Sequence, residues 1–278
     1  LEMSRGEPAI LYAGTSSGLY YSIDSGTTWD PSPLVTLPKV LAVATDPELS
    51  LSAYFGGFGG KVFRTFNAAQ SLEDVSSGLP EENIIHLHVP LKSRRTVYAV
   101  TTQGRLFVSQ EFGLDWTEIT PEASKALTLQ EEPGRPWVLY LGTQGQGVFK
   151  SETAGIDWTP ASEGMGQAFV LSIAVDPLND ETLYAGTESA VFRSTDGAAS
   201  WVKLSGLPAA PISRILVDPE EPSRLFALVE GHGVYRSEDQ GESWQEMAAG
   251  LPRSGSSTIA FDSRTPSRLY AGVMDAGV

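Results

Sequence analysis

The chain contains no cysteine among its 278 residues, which excludes disulfides, thiolate catalysis and cysteine-ligated metal. Histidine is scarce, at three residues: His86, His88 and His232. His86 and His88 share one face of a strand, a spacing able to chelate. No third ligand accompanies them, so no metal or other cofactor is expected. No run approaches the roughly eighteen apolar residues of a membrane helix. Basic residues are few, 19 Lys and Arg against 34 Asp and Glu, for a formal net charge of −15. Such a surface repels nucleic acid, whose binding needs clustered Lys and Arg. Its complement is a basic partner or simply water. The one basic knot is Lys92, Arg94 and Arg95. A leading Met and a signal-peptide pattern are also missing, so the natural N-terminus is expected to differ from Leu1.

What is present is turn chemistry and repetition. Gly and Pro are plentiful, at 28 and 18 residues, alongside 41% hydrophobic and 19% charged residues, a balance that suits a turn-rich β protein. One segment recurs as Leu11-Tyr-Ala-Gly14, Val97-Tyr-Ala, Leu139-Tyr-Leu-Gly142, Leu183-Tyr-Ala-Gly186, Leu225-Phe-Ala and Leu269-Tyr-Ala-Gly272, with Ala53-Tyr-Phe-Gly56 as a weaker copy. An aromatic strand ending in a small polar residue follows, such as Val191-Phe-Arg-Ser194. Each unit then reaches an anchor: Trp29, Leu72, Trp116, Trp158, Trp201 and Trp244, spaced 42–44 residues apart.

Four short strands fit each unit. From Val170 to Trp201 they are Val170–Val175 (A, halted at Asp176-Pro177), Thr182–Gly186 (B), Ala190–Ser194 (C) and Trp201–Leu204 (D). Four strands every forty-odd residues, without helical periodicity, predict an all-β propeller of four-stranded antiparallel blades. Each blade buries its two faces on its neighbours, so the apolar pattern repeats. The chain reads as entering at a B strand (Ile10–Thr15) and leaving after a last A and B (Thr258–Phe261 and Leu269–Val273). One propeller domain over residues 1–278 is therefore expected, lacking part of its first and last blades. Seven blades are favoured and six are the alternative.

The C-to-D hairpin carries the most specific signal. It reads Ser22-Ile-Asp24-Ser-Gly26-Thr-Thr28-Trp29 and Ser237-Glu-Asp239-Gln-Gly241-Glu-Ser243-Trp244, with Ser194, Asp196, Ser200 and Trp201 keeping all but the glycine spacing. Glu111 and Thr153 replace the aspartate before Trp116 and Trp158, and Asn67 and Ala69 erode the copy before Leu72. Ser and Asp side chains accept amides that a tight turn leaves unpaired, Gly supplies a positive φ, and Trp covers the turn and is expected to donate its N–H locally. These residues resemble the Asp-box, or bacterial neuraminidase repeat, along nearly the whole chain. The resemblance implies a folding element on the outer rim and an extracytoplasmic setting, so the aspartates are expected to be structural.

Three Asp-box groups frame the function. Sialidases imply an arginine triad, but Arg64, Arg193 and Arg236 share one repeat position, as scaffold residues do. Xyloglucan-degrading glycosidases imply two opposed carboxylates, whereas Glu188 and Asp275 in B-to-C loops and Glu122 and Glu163 in D-to-A loops are unpaired in the reading. Gly56–Gly60 reads as a tight hairpin rather than a phosphate loop, since no helix follows. Photosystem II assembly factors imply a non-enzymatic helper that binds other proteins, and that behaviour fits best. The expected function is therefore a protein-binding or scaffold module, with no catalytic residue. Another protein chain is the expected partner, and a carbohydrate-active module is the alternative. Its default site is the face of the B-to-C and D-to-A loops: Phe58, Gln103, Gln144, Gln146, Met165, Phe169, Glu188 and His232.

Overall fold

The computed structural model describes residues 1–4, 9–32, 39–93, 95–247, 256–262, 265 and 268–273. Two compact units divide the chain, residues 1–120 with 261–267 and residues 121–260 with 268–278. The fold is an all-β propeller with six four-stranded antiparallel sheets and a partial seventh. The strands A, B, C and D follow chain order in every complete sheet.

In the first unit, sheet 1 comprises Glu2–Met3, Leu11–Thr15, Gly18–Ser22 and Asp30–Pro31. Sheet 2 is Val40–Thr45, Ala53–Gly57, Val62–Thr65 and Glu73–Asp74. Sheet 3 is Ile84–His88, Val97–Thr101, Leu106–Ser109 and Thr117–Glu118. In the second, sheet 4 is Ala126–Glu131, Leu139–Thr143, Val148–Ser151 and Thr159–Pro160. Sheet 5 is Val170–Asp176, Asn179–Thr187, Val191–Ser194 and Val202–Lys203. Sheet 6 is Ile212–Val217, Leu225–Val229, Gly233–Ser237 and Gln245–Glu246. The partial sheet pairs Ser256–Phe261 with Leu269–Val273.

The first sheet differs from the sequence reading. Glu2–Met3 pairs with Tyr12 and Leu11, so an A strand precedes the expected entry point. Two residues are too few to carry a period-two pattern, which is why it escaped notice.

Burial runs in a gradient across each sheet. The B strands of sheets 2, 3, 4 and 6 are buried at every position, and the B-strand tyrosines Tyr12, Tyr54, Tyr140 and Tyr184 of sheets 1, 2, 4 and 5 are the largest fully buried side chains among the described residues. The D strands are only two residues long and almost wholly exposed. They carry charge (Glu73–Asp74, Glu118, Lys203, Glu246) or proline (Pro31, Pro160). Shortness, charge and proline all blunt an edge against pairing with another chain.

Neighbouring sheets meet closely. The glycine ending the Tyr-Ala-Gly segment is extended backbone, and it is small because the next sheet's A strand lies against it. A Cβ on Gly56 would sit 2.6 Å from Ile84 Cγ2, and one on Gly186 would sit 2.8 Å from the Ile212 carbonyl oxygen.

The box tryptophans also reach across sheets. Trp116 Nε1 donates to Val75 O and Trp201 Nε1 to Ala161 O, both at 2.8 Å. The local bond expected from sequence is thus replaced by one to the residue just past the preceding sheet's D strand, about forty residues earlier. Strand C contributes a second tie: Arg64 donates to Phe112 O, Lys150 to Gly197 O and Arg193 to Gln240 O, each in the next sheet's box.

Candidate functional site

Two sets of residues compete for a functional role, the box hairpins and the B-to-C and D-to-A loops. In the three full boxes the hydrogen bonding is the same. Ser22 Oγ donates to Asp24 Oδ1 at 2.8 Å and accepts Gly26 N at 2.9 Å. Asp24 accepts Thr28 N at 2.8 Å and Thr28 Oγ1 at 2.6 Å. Ser194 with Asp196 and Ser237 with Asp239 repeat this, Ala198 N and Gly241 N taking the amide role and Ser200 and Ser243 the hydroxyl role. The side-chain hydrogen bonds of these aspartates go to their own turn.

The eroded boxes rebuild the same ring by substitution. In sheet 3, Ser109 Oγ donates instead to Asp115 Oδ1 at 2.9 Å. In sheet 4, Thr153 Oγ1 accepts Asp157 N at 2.9 Å. In sheet 2, the Asn67 amide accepts Ser71 N and donates to Ser71 Oγ. In sheet 3 the compensating signal is Asp115, four places beyond the Glu111 that replaces the aspartate. Every box also holds a non-glycine residue at positive φ, such as Ser25, Ala154 and Gln240; in sheet 3 it is the bulky Phe112 at φ 57°. Trp29, Trp116, Trp158 and Trp244 are half-buried and Trp201 is buried.

These bonds stabilise the ionised carboxylates. Asp24 is held down to about 2, first by the Thr28 hydroxyl and amide, and Asp239 to about 2 by those of Ser243. Asp196 is lowered in the same sense by Ser200. The unfolded value lies near 3.8, so this stabilisation is complete above about pH 4 and disappears as pH falls through about 2. The expected result is a thermal midpoint that drops between pH 4 and 2. Asp239→Asn should lower the midpoint at neutral pH and flatten that acid limb. An unchanged limb in thermal melts would contradict the assignment.

A second set of acids closes the A-to-B turns. Asp46, Asp176 and Asp218 are buried and each accepts the amides two and three residues on. Sequence reading saw only the strand stop at Asp176-Pro177. Glu132 takes this place in sheet 4, where it pairs with Arg135 and accepts the Tyr140 hydroxyl at 3.1 Å.

Of the predicted loop residues, the structure brings three together in the second unit. Phe169 forms an isolated antiparallel bridge with Gln144. Its ring lies over Gly145, where a Cβ would come within 3.0 Å of Phe169 Cε1. Glu188 Oε2 accepts Phe169 N at 2.7 Å, and Glu188 N donates to Phe169 O. The ring itself stays 40% exposed. Gln146 is nearby in sequence but turns to Ala123, donating to its carbonyl at 3.1 Å.

The remaining candidates separate. Met165 is buried at 6% exposure within the core between sheets 4 and 5, so it offers nothing to a partner. Its neighbours supply the reason: Trp201 and Phe192 pack in the same cluster. His232 and Gln103 are exposed at turn positions. Phe58, in the first unit, is exposed within a 3-10 turn and carries Lys39 Nζ 5.0 Å from its ring centroid. Glu122 is exposed, and the Glu163 carbonyl accepts Trp201 N at 2.8 Å. Asp275 and Arg94 lie outside the described residues. A hollow of about 340 Å³ opens beside Glu188, lined by Ser189, Lys203, Leu204 and Leu207 among others. Among the described residues no three His, Asp or Glu groups converge as a metal site would need.

The Sortilin-Vps10 family model (sortilin, neurotensin receptor 3) matches residues 189–275. A xyloglucanase of Hypocrea jecorina (strain QM6a) is 27% identical over 155 residues, 52% of this chain and 18% of that protein. The solved GH74 xyloglucanase of Xanthomonas campestris superposes with a TM-score of 0.78 at 17% identity, covering 97% of this chain and 50% of that one. YCF48 bound to D1 peptide superposes with a TM-score of 0.75 at 17% identity, covering 98% and 89%. The chain is an Asp-box-like β-propeller, similar in sequence to parts of the Sortilin-Vps10 and xyloglucanase proteins and in fold to YCF48. This propeller spans less than a fifth of its curated xyloglucanase relative and half of the solved one. Both an enzyme family and a peptide-bound protein thus share its architecture. No helix among the described residues is long and apolar enough to cross a membrane.

Proposed function

We propose that this propeller is a non-enzymatic, extracytoplasmic binding or assembly module that holds a segment of another protein chain on its B-to-C and D-to-A loops. One observation carries the reading. The loop-face acid Glu188 is engaged by the Phe169 amide, which makes it a turn clasp, while the Phe169 ring remains open beside Gln144. An exposed aromatic set on a rigid hairpin suits the anchor role that dominates protein interfaces. The YCF48 structure with its D1 peptide, similar over nearly its full length, supports the same choice. The xyloglucanase matches support the alternative, a carbohydrate-active module.

Peptides selected on the protein from a random display library are expected to bind Phe169→Ala about tenfold more weakly, a change of roughly 1.4 kcal/mol. Asp24→Asn should bind them normally. Release of new reducing ends from xyloglucan, abolished by Glu188→Gln, would instead establish the enzymatic reading.

A further inference from the structure

In the second unit, the end carrying the boxes and A-to-B turns presents Trp137 at 53% exposure, Ile156 at 79% and Leu178 at 74% on adjoining turns, against Phe169 at 40% on the loops. The turns touch. Ala154 of the sheet 4 box donates to Trp137 O at 2.8 Å, and Gly134, in the turn of Trp137, is packed directly against the Asp180 carboxylate in the turn of Leu178.

The repeat shows that the fold does not require these side chains. The carbonyl at the Trp137 position accepts a box amide in five sheets, where the residue is Leu51, Arg95, Trp137, Glu181 or Ser223. The amide at the Leu178 position donates to a buried aspartate, as do those of Glu48 and Glu220. The Ile156 position holds Thr27, Gln70 and Glu242 in other boxes. Polar residues fill the same places without loss of the hairpin, so the apolar ones are retained at a cost in hydration. By contrast, exposed Phe66 and half-buried Phe112 in the first unit are already stacked under the Arg64 guanidinium.

Around the three apolar residues the fringe is acidic. Asp157 follows Ile156, and Asp180 and Glu181 follow Leu178. None of the three carboxylates has an ion-pair partner among the described residues, whereas the nearby cations are committed, Arg135 to Glu132 and Lys150 to Glu152. We infer that this side of the second unit is a docking surface for a segment of another protein that combines apolar side chains with Lys or Arg. Apolar anchors would sit among Trp137, Ile156 and Leu178, and cations would meet Asp157, Asp180 and Glu181. Charge complementarity selects this occupant: an acidic or neutral apolar segment would leave three carboxylates unmatched or repelled. The surface is separate from the Phe169 loops.

The test uses a synthetic peptide of alternating Leu and Lys, a Ser-Lys peptide of equal charge, and a Leu-Glu peptide. Trp137→Ser, Ile156→Thr and Leu178→Glu are combined, each residue being one the repeat already accepts at that position. The Leu-Lys peptide is expected to bind the whole protein, to slow amide exchange in residues 133–138, 153–157 and 177–181, and to lose at least tenfold in affinity for the triple variant. Asp157→Asn with Glu181→Gln should weaken it several-fold, and Phe169→Ala should leave it unchanged. Equal binding of Ser-Lys and Leu-Lys peptides, or undiminished binding to a triple variant whose melting is normal, overturns the inference. So does concentration-dependent dimerisation abolished by the triple variant, which would make a second copy the occupant.

Discussion

Trp201→Ala should lower unfolding stability by about 3–5 kcal/mol, the range for removing a buried large aromatic. Trp201 is 3% exposed and packs with Phe192, Met165 and Val175 in the core between sheets 4 and 5. Its indole N–H donates to Ala161 O in the preceding sheet, and Gly164 comes so close to its backbone that no side chain fits there. The loss therefore combines a cavity with an orphaned carbonyl. Trp201→Phe separates the two, keeping most of the volume and removing the donor, at an expected cost of about 1–2 kcal/mol. Trp244 provides the internal control, since its Nε1 is buried with no partner. Trp244→Phe should cost less than Trp201→Phe, because it removes an unsatisfied donor. Urea unfolding of the three variants checks the order, and equal losses for the two Phe substitutions would remove the cross-sheet bond from the account.

Gly186→Val should destabilise by about 3 kcal/mol or more, near the upper end of overpacking effects, although Gly186 has ordinary extended backbone. The obstacle is the neighbouring A strand. A Cβ would lie 2.8 Å from Ile212 O, 2.9 Å from Ile212 Cγ2 and 3.0 Å from Ile212 Cβ. A carbonyl within a strand cannot retreat without disturbing its ladder, so Ala should already cost about 1–2 kcal/mol. Gly142 faces Val170 O at 2.9 Å in the same way, and Gly142→Ala should behave alike. Gly231, a loop glycine with open space around its Cβ position, should lose about 1 kcal/mol or less on substitution by Ala, all of it from its φ of 73°. Thermal unfolding that ranks Gly231→Ala as the most damaging would refute the close-approach explanation.

These two cases mark where residue patterns stop being informative. The Tyr-Ala-Gly segment was legible as a repeat, but the reason for its glycine was not, because the opposing atoms belong to the A strand about 26 residues later. Trp was legible as an anchor, while its hydrogen-bond acceptor lies about forty residues earlier, just past a strand of two residues. Met165 sits on a segment that reads as a loop, and only the packing of two sheets shows it to be core. Among the candidate binding residues, the contact of Phe169 with Gln144, Gly145 and Glu188 depends on how two hairpins from different sheets adjoin.

Strand order within a sheet and hairpin chemistry were accessible from the residues alone, whereas the A strand that completes the first sheet was not. Alternation, turn formation and Ser–Asp capping act over fewer than ten residues, and the repeat printed that local physics six times. Which apolar side chains end up buried, which donors cross between sheets, and which carboxylates stand without a cation were decided by tertiary packing. Those outcomes depend on pairs of surfaces brought together across forty residues or more, and dispersion, overlap and charge act on proximity that no local pattern encodes.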